Sequence, residues 1–306
     1  MGFDYLLMLQ EFREGAGSYL TPILTDATTW LVVGPILVAA LCYWIFNKEF
    51  GILALFSIVS GLFLNNVLKL ICCVYRPWIL SDRIIPHEQA IASATGYSFP
   101  SCHSTLSASG FGAIAYYLRK RKLVVALCVL AALVCAFSRN FLGVHTLVDV
   151  VAGLLIGVLC VAVTVLVQKW VNGGKNRDIV AVAVGTVLCM VCLVLVLTKD
   201  YPRDFVAGVL LVDPEEMVND GLMAIGAFQG LLVGWLVERR FVKFQANGFT
   251  WKRLWLSLLG IVAILVFALV TYAILGPLMG KLAIWLELAL LVFFCTAVWP
   301  LVFRTR

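Results

Sequence analysis

The sequence predicts an all-α protein, a polytopic membrane bundle of about nine transmembrane helices. Three observations carry this. Apolar residues fill 62% of the 306 positions and charged residues only 13%, against roughly a quarter charged in a typical soluble domain. The mean hydropathy is +1.01. Apolar runs approaching the roughly 20 residues that cross a bilayer recur along the chain. A soluble core of this size is excluded. The net charge of +6 reports topology and contact with anionic lipid, and implies no nucleic-acid partner.

Residues 1–26 come first. Asp4, Glu11, Arg13 and Glu14 stand among Tyr5, Leu6, Leu9 and Phe12, the pattern of an amphipathic helix in the membrane interface. The segment lacks the basic start of a signal peptide. Leu6 stands where myristoylation of Gly2 needs Ser or Thr. Spans are expected at about 27–46, 51–72, 103–118, 122–138, 146–168, 178–198, 217–237, 254–275 and 281–303. Asp26 is placed to cap the first. Asp213-Pro214-Glu215-Glu216 is a helix start: a capping Asp, Pro in the first turn, then acids at the positive end of the dipole. No internal repeat stands out, and the chain reads as one membrane domain.

Nine spans put the termini on opposite sides. Lys48, Arg119, Lys120, Arg121, Lys122, Lys169, Lys175, Arg177, Arg239, Arg240, Lys243, Lys252, Arg253, Arg304 and Arg306 share one side and make up most of the 23 basic residues. That side is expected to be cytoplasmic, which turns the N-terminus and the loops before residues 103 and 146 outward. Of ten cysteines, seven lie in apolar runs (Cys42, Cys128, Cys135, Cys160, Cys189, Cys192, Cys295) and read as small hydrophobes. No Cys/His spacing suits a metal.

Three polar clusters lie at the expected outer ends of spans two, three and five. In KLICCVYRP, Lys69 and Arg76 are seven apart, about two helical turns, and Asn65 lies one turn earlier; Pro77 then ends the helix. Snorkelling explains one such cation, and explains two on one face less well. In YSFPSCHS, Pro100 suits a first helical turn, with Ser101 and the next amides at an anion-attracting N-terminus. In SRNFLGVHTLVD, His145 and Asp149 are i, i+4. An Asp accepting from one imidazole nitrogen leaves the other nucleophilic. A purely structural His–Asp pair accounts for that spacing equally well. Arg139 carries a planar fork of donors matched to phosphate oxygens. Ionisable groups at a membrane surface are costly and mostly functional. Their gathering on one side describes a phosphate site with an attacker and a proton donor.

At these residues the chain resembles the type 2 phosphatidic acid phosphatase superfamily, whose signature is K-x6-RP, PSGH and SR-x5-H-x3-D. The parts stand here as Lys69…Arg76-Pro77, Pro100-Ser101-Cys102-His103 and Ser138-Arg139…His145…Asp149. Cys102 replaces the usual Gly. The nine-span layout with an outward N-terminus is also similar to the glucose-6-phosphatase branch. The resemblance implies a six-helix phosphatase core over residues 27–198, with residues 199–306 adding membrane helices that no motif covers. It implies His145 as nucleophile, Asp149 as its orienting partner and His103 as general acid. Lys69, Arg76, Ser101, Arg139 and the amides near Cys102 would hold the phosphate. No cofactor and no metal are required on this reading.

Reacting groups at headgroup depth favour a membrane lipid phosphate as substrate: an isoprenoid pyrophosphate, phosphatidic acid or phosphatidylglycerophosphate. Loop 77–99, with Arg83, His87, Glu88 and Gln89, is expected to cover the site, His87 as a solvated residue. Two alternatives stay open: a phosphatase of soluble sugar phosphates, and a non-catalytic membrane protein that only binds phosphate lipid. Gln229 and Glu287, polar groups inside spans, fit packing hydrogen bonds.

Overall fold

The structure, a computed structural model, describes residues 3–15, 17–246 and 248–303. Gly2, Arg304 and Arg306, used above, lie outside the described residues. Helix α1 (Asp4–Glu14) buries Leu6, Leu9 and Arg13. Arg13 Nη1 donates to Phe141 O at 2.9 Å and Nη2 to Ile85 O at 2.5 Å, so α1 is pinned to the polar end of the bundle. Helix α2 (Leu20–Leu41) follows a turn at Gly17–Ser18 and runs on as a π-helical turn, Cys42–Phe46. It is under way before Asp26, which therefore does not cap it.

Asn47 starts α3 (Lys48–Cys72) by accepting from Phe50 N at 2.8 Å. The helix stops where Cys73 turns left-handed, φ 49°. Lys199 Nζ then donates to the free carbonyls of Leu70 and Ile71, both at 2.6 Å, as a cation at a helix C-terminus should. Two short helices, α4 (Pro77–Leu80) and α5 (Glu88–Ile91), punctuate the loop before α6 (Cys102–Tyr117). Next come α7 (Lys122–Phe141), α8 (Leu147–Asn172) and α9 (Arg177–Thr198). A small hairpin that the hydrophobic pattern does not announce, β1 (Phe205–Val206) with β2 (Val209–Leu210), turns on Ala207 and Gly208, both at positive φ. Asp213 caps α10 (Pro214–Val237) by accepting from Glu215 N at 2.8 Å. Helices α11 (Trp251–Met279) and α12 (Lys281–Phe293) complete the chain, the last extended by tighter and looser turns to Phe303.

The chain is an all-α polytopic membrane protein. Among the described residues eight helices are long and apolar enough to cross a membrane, where about nine are expected. The difference is α6. Its 16 residues rise about 24 Å, short of a ~30 Å hydrocarbon core. It sits inside the bundle against α3, α7 and α8, burying Ser104, Thr105, Ser107 and Ser109. Small residues allow that closeness. A Cβ on Gly153 would stand 2.6 Å from Ser101 O, and one on Gly157 2.5 Å from Ala108 Cβ. The same device joins α10 to α12. A Cβ on Gly226 or Gly230 would meet the Trp285 or Ala289 carbonyl at 2.2 Å. Gln229 Nε2 donates to Thr186 Oγ1 of α9 at 3.1 Å, an interhelical packing bond.

Candidate active site

Two loops and three helix ends meet at one end of the bundle. Lys69 lies in the last turn of α3, and its Nζ donates to Tyr97 O at 2.6 Å. Arg76 is not on that helix, contrary to the seven-residue spacing. The left-handed turn at Cys73 releases the chain, and Arg76 is extended, just ahead of Pro77, which begins α4 rather than ending α3. Four bonds fix its guanidinium. Nε donates to Gly96 O at 2.9 Å, Nη2 to Thr95 O at 3.0 Å, and Nη1 to Val144 O at 3.0 Å and to His145 Nε2 at 2.8 Å.

That last contact sets the histidine's tautomer. An arginine only donates, so Nε2 accepts and Nδ1 carries the proton. Burial, then the charges of Arg76, Lys69 and Arg139, hold the His145 imidazole well below its ordinary pKa, so the ring is neutral at neutral pH.

Asp149 is reached differently from the expected helix-face pair. Helix α8 begins at Leu147, and His145 precedes its cap, Thr146. Asp149 Oδ2 accepts from Thr146 N at 2.7 Å, closing a capping box, and from Ser98 Oγ at 2.7 Å. His145 Nδ1 lies 3.6 Å from the same oxygen and 3.4 Å from Ser98 Oγ. The carboxylate therefore orients the imidazole partly through Ser98. Sequence reasoning passed over Ser98, although it lies within the quoted YSFPSCHS stretch.

The helix expected to open at Pro100 instead opens at Cys102, with Ser101 as its cap. Ser101 is wholly buried. Its oxygen accepts from Ser104 Oγ at 3.0 Å, and its amide donates to Asp149 O at 3.0 Å. The donors left at the mouth of α6 are the first amides of the helix, at Cys102 and His103. Cys102 takes a helical position and needs no glycine there. His103 is half-buried and within electrostatic reach of Arg139, Arg76 and Lys69. The two imidazoles make no direct hydrogen bond.

Arg139, in the last turn of α7, is 2% exposed; its Nη2 donates to Ser93 Oγ at 3.3 Å, while its Nε has no partner. Asn140 Nδ2 holds His145 O at 2.9 Å, and Asn65 Nδ2 bonds Pro100 O at 3.2 Å and Thr105 Oγ1 at 3.0 Å. Helix α10 adds Asp220, a half-buried acid whose charge acts on Lys69 and Cys102. No motif points to it. Lys69, Arg76 and Arg139 are all nearly sealed from solvent beside one buried carboxylate, Asp149. Unmatched buried cations are costly, so the cluster suits a multiply charged anion. Among the described residues no three His, Cys, Asp or Glu side chains gather to hold a metal. His87 lies off the cluster, capping α5 with its amide bonded to Leu142 O.

Two stretches of the chain match a known family. Residues 50–173 match the PAP2 superfamily, and residues 222–306 match the PAP2 superfamily phosphatase, transmembrane extension. The chain is 29% identical over 153 residues to a phosphatidylglycerophosphatase B of Bacillus subtilis (strain 168), covering 47% of this chain and 66% of that protein. It is 30% identical over 111 residues to an undecaprenyl-diphosphatase of Sulfolobus acidocaldarius, covering 36% of this chain and 52% of that one. It therefore spans less than two thirds of the length of either relative. No solved structure matches the chain.

Proposed function

From the matches of residues 50–173 to the PAP2 superfamily and of residues 222–306 to its transmembrane extension, we propose that this chain is an integral membrane phosphatase acting on lipid phosphate monoesters or pyrophosphates. The observation that carries the reading is the Arg76–His145 contact. A neutral imidazole with its lone pair on Nε2 faces the guanidinium that would draw the phosphate.

In the first step the incoming phosphate draws Arg76 Nη1 off His145, which frees the Nε2 lone pair; Nε2 attacks phosphorus in line, a P–N bond forms, and the P–O bond to the leaving group breaks. His103 takes up a proton with the incoming phosphate, whose negative charge offsets Arg139, Arg76 and Lys69, and gives it to the departing oxygen. Asp149, with Ser98, holds Nδ1–H and balances the charge that appears on the ring. Lys69, Arg76, Arg139 and the amides at Cys102 and His103 hold the other phosphate oxygens, with preorganised positive charge serving phosphoryl transfer. In the second step water attacks phosphorus and loses its proton to His103. The P–N bond breaks and inorganic phosphate leaves.

The site is built where the membrane helices α3, α7 and α8 begin or end, an arrangement that favours a lipid phosphate arriving from within the bilayer. The names of the two relatives put phosphatidylglycerophosphate and undecaprenyl pyrophosphate first on the panel, with phosphatidic acid beside them. The excess of Lys and Arg at the opposite ends of the helices supports a site on the non-cytoplasmic face. The interfacial segment expected over residues 1–26 is read as ending before α2, which already runs from Leu20; the catalytic core then continues to residue 198, and 199–306 are read as an added helical unit.

The test is phosphate release by purified protein from that lipid panel and from glucose 6-phosphate, with and without EDTA. We expect release from at least one lipid, insensitive to EDTA, and a fall of at least about 10³-fold in His145→Ala. Equal release by variant and parent would remove the enzyme. Release from the sugar phosphate alone would remove the lipid.

A further inference from the structure

The other end of the bundle holds a second polar hollow, which the chemistry above does not use. It has a volume of about 590 Å³ and lies between the start of α3, the end of α8 and the end of α10. Lys48 and Lys69 are both on α3, 21 residues apart, which puts the hollow about 32 Å from the catalytic end.

Its charges are unequal. Glu238 is wholly buried in its wall, paired to Lys48 Nζ at 2.6 Å, with Oε2 unpartnered. That pair is internally neutral. Arg239, Lys243 and the neighbouring Arg240 remain against two acids: Asp178, which Arg240 bonds and Arg239 approaches at 3.7 Å, and the exposed Glu49. The surplus is one positive charge, with the Gln168 Nε2 amide a buried donor that has no partner.

The hollow does not end there. Gln168 and Trp235 also line a neighbouring groove of about 270 Å³ between α3, α8, α9 and α10, walled by Phe56, Phe63, Val163 and Leu232. A cationic head compartment thus runs directly into an apolar slot. Both volumes fall in or near the range of ordinary ligand sites, about 300–1,000 Å³.

We propose that this pair of compartments is a binding site for a net-anionic phosphodiester lipid in the leaflet opposite the catalytic one. The singly charged phosphodiester meets Arg239 and Lys243, and an acyl chain fills the slot past Trp235. A free phosphate would leave the slot without an occupant, and a zwitterionic lipid would leave the surplus charge unmatched.

Trp235, at the junction, is the reporter. Full-length protein is placed in phosphatidylcholine nanodiscs with rising fractions of brominated phosphatidylglycerol or, separately, brominated phosphatidylcholine. The signal of Trp235→Phe is subtracted from the parent's to isolate this one indole. We expect half-quenching at several-fold lower mole fraction with the anionic lipid, reduced about fivefold for each basic residue removed. Arg239 also bonds Asn172 and pairs with Asp178, so Lys243→Gln, which disturbs no such bond, accompanies Arg239→Gln. Ala181 of α9 also lines the slot, and Ala181→Phe, which fills it, should abolish the quenching. His145→Ala should leave it unchanged, which separates this site from the catalytic reading. Equal curves for the two lipids, or variants that leave the anionic curve in place, would overturn the proposal. Displacement by millimolar inorganic phosphate alone would replace the lipid with a free anion, and overturn it too.

Discussion

Replacing Gly153 with alanine tests the claim that α8 positions the catalytic end of α6. The added Cβ would stand 2.6 Å from Ser101 O and 2.9 Å from Ser104 Cβ. Ordinary contact begins near 3.4 Å, so the shortfall at the carbonyl is roughly 0.8 Å. That carbonyl cannot swing aside, because it already accepts from Thr105 N and Thr105 Oγ1, both at 3.0 Å. The two helices must separate instead. Ser101 N is bonded to Asp149 O across the same crossing, so His103 moves away from His145 by most of that distance. A misplacement near 1 Å can cost about 10²-fold in rate, and overpacking costs about 1–3 kcal/mol of stability. The assay is kcat on the best lipid of the panel, read beside a thermal melt, with Gly34→Ala as control since nothing lies within 4 Å of its Cβ. We expect kcat to fall between tenfold and about a hundredfold, with the control unchanged. A Gly153→Ala enzyme within twofold of the parent would refute the reasoning.

Ser98→Ala removes the hydroxyl between Asp149 and the imidazole. A hydrogen bond to a charged group contributes about 1.5–3 kcal/mol, so kcat should drop by roughly tenfold or more while KM, read in the same progress curves, changes little. Burial, and then the cations near His145, oppose its protonation, so the acid limb of kcat/KM against pH should lie below the ordinary imidazole value. Arg76→Gln removes one of those charges, and the limb should move to higher pH even as the plateau falls. Arg13→Ala frees the carbonyls of Phe141 and Ile85. Limited proteolysis should then cut the segment between Ser81 and Phe99 faster than in the parent.

Much of the site can be read in the chain because its parts are local. Spacing brings Arg139, His145 and Asp149 together within one helix–turn–helix, and Asp213-Pro214 announces its own helix. What spacing conveys poorly is where a helix stops. Lys69 and Arg76 look like one helical stripe, yet the left-handed residue between them is a cysteine, not the glycine that would have signalled it. Pro100 suits a first turn, yet the hydroxyl of Ser101 caps better. Asp26 suits a cap, but a turn at Gly17 had already started the helix. Ser98 and Asp220 carry no motif, since their meaning lies in neighbours 51 residues away for one and on another helix for the other. Helix α6 reads as a span at 103–118 in the hydrophobic pattern, yet its 16 residues are too few to cross alone, and its serines are what let it sit in the middle.

One oxygen, Asp149 Oδ2, serves three masters. It finishes the first turn of α8, anchors the loop before α6 through Ser98, and faces the proton of His145. Selection therefore has little room to retune this reaction by letting a nearby loop drift, since any drift unwinds a helix start as well. Divergence toward new substrates should instead collect at the outer rim, in the short helices and turns between Pro77 and Phe99, where change leaves that shared anchor in place.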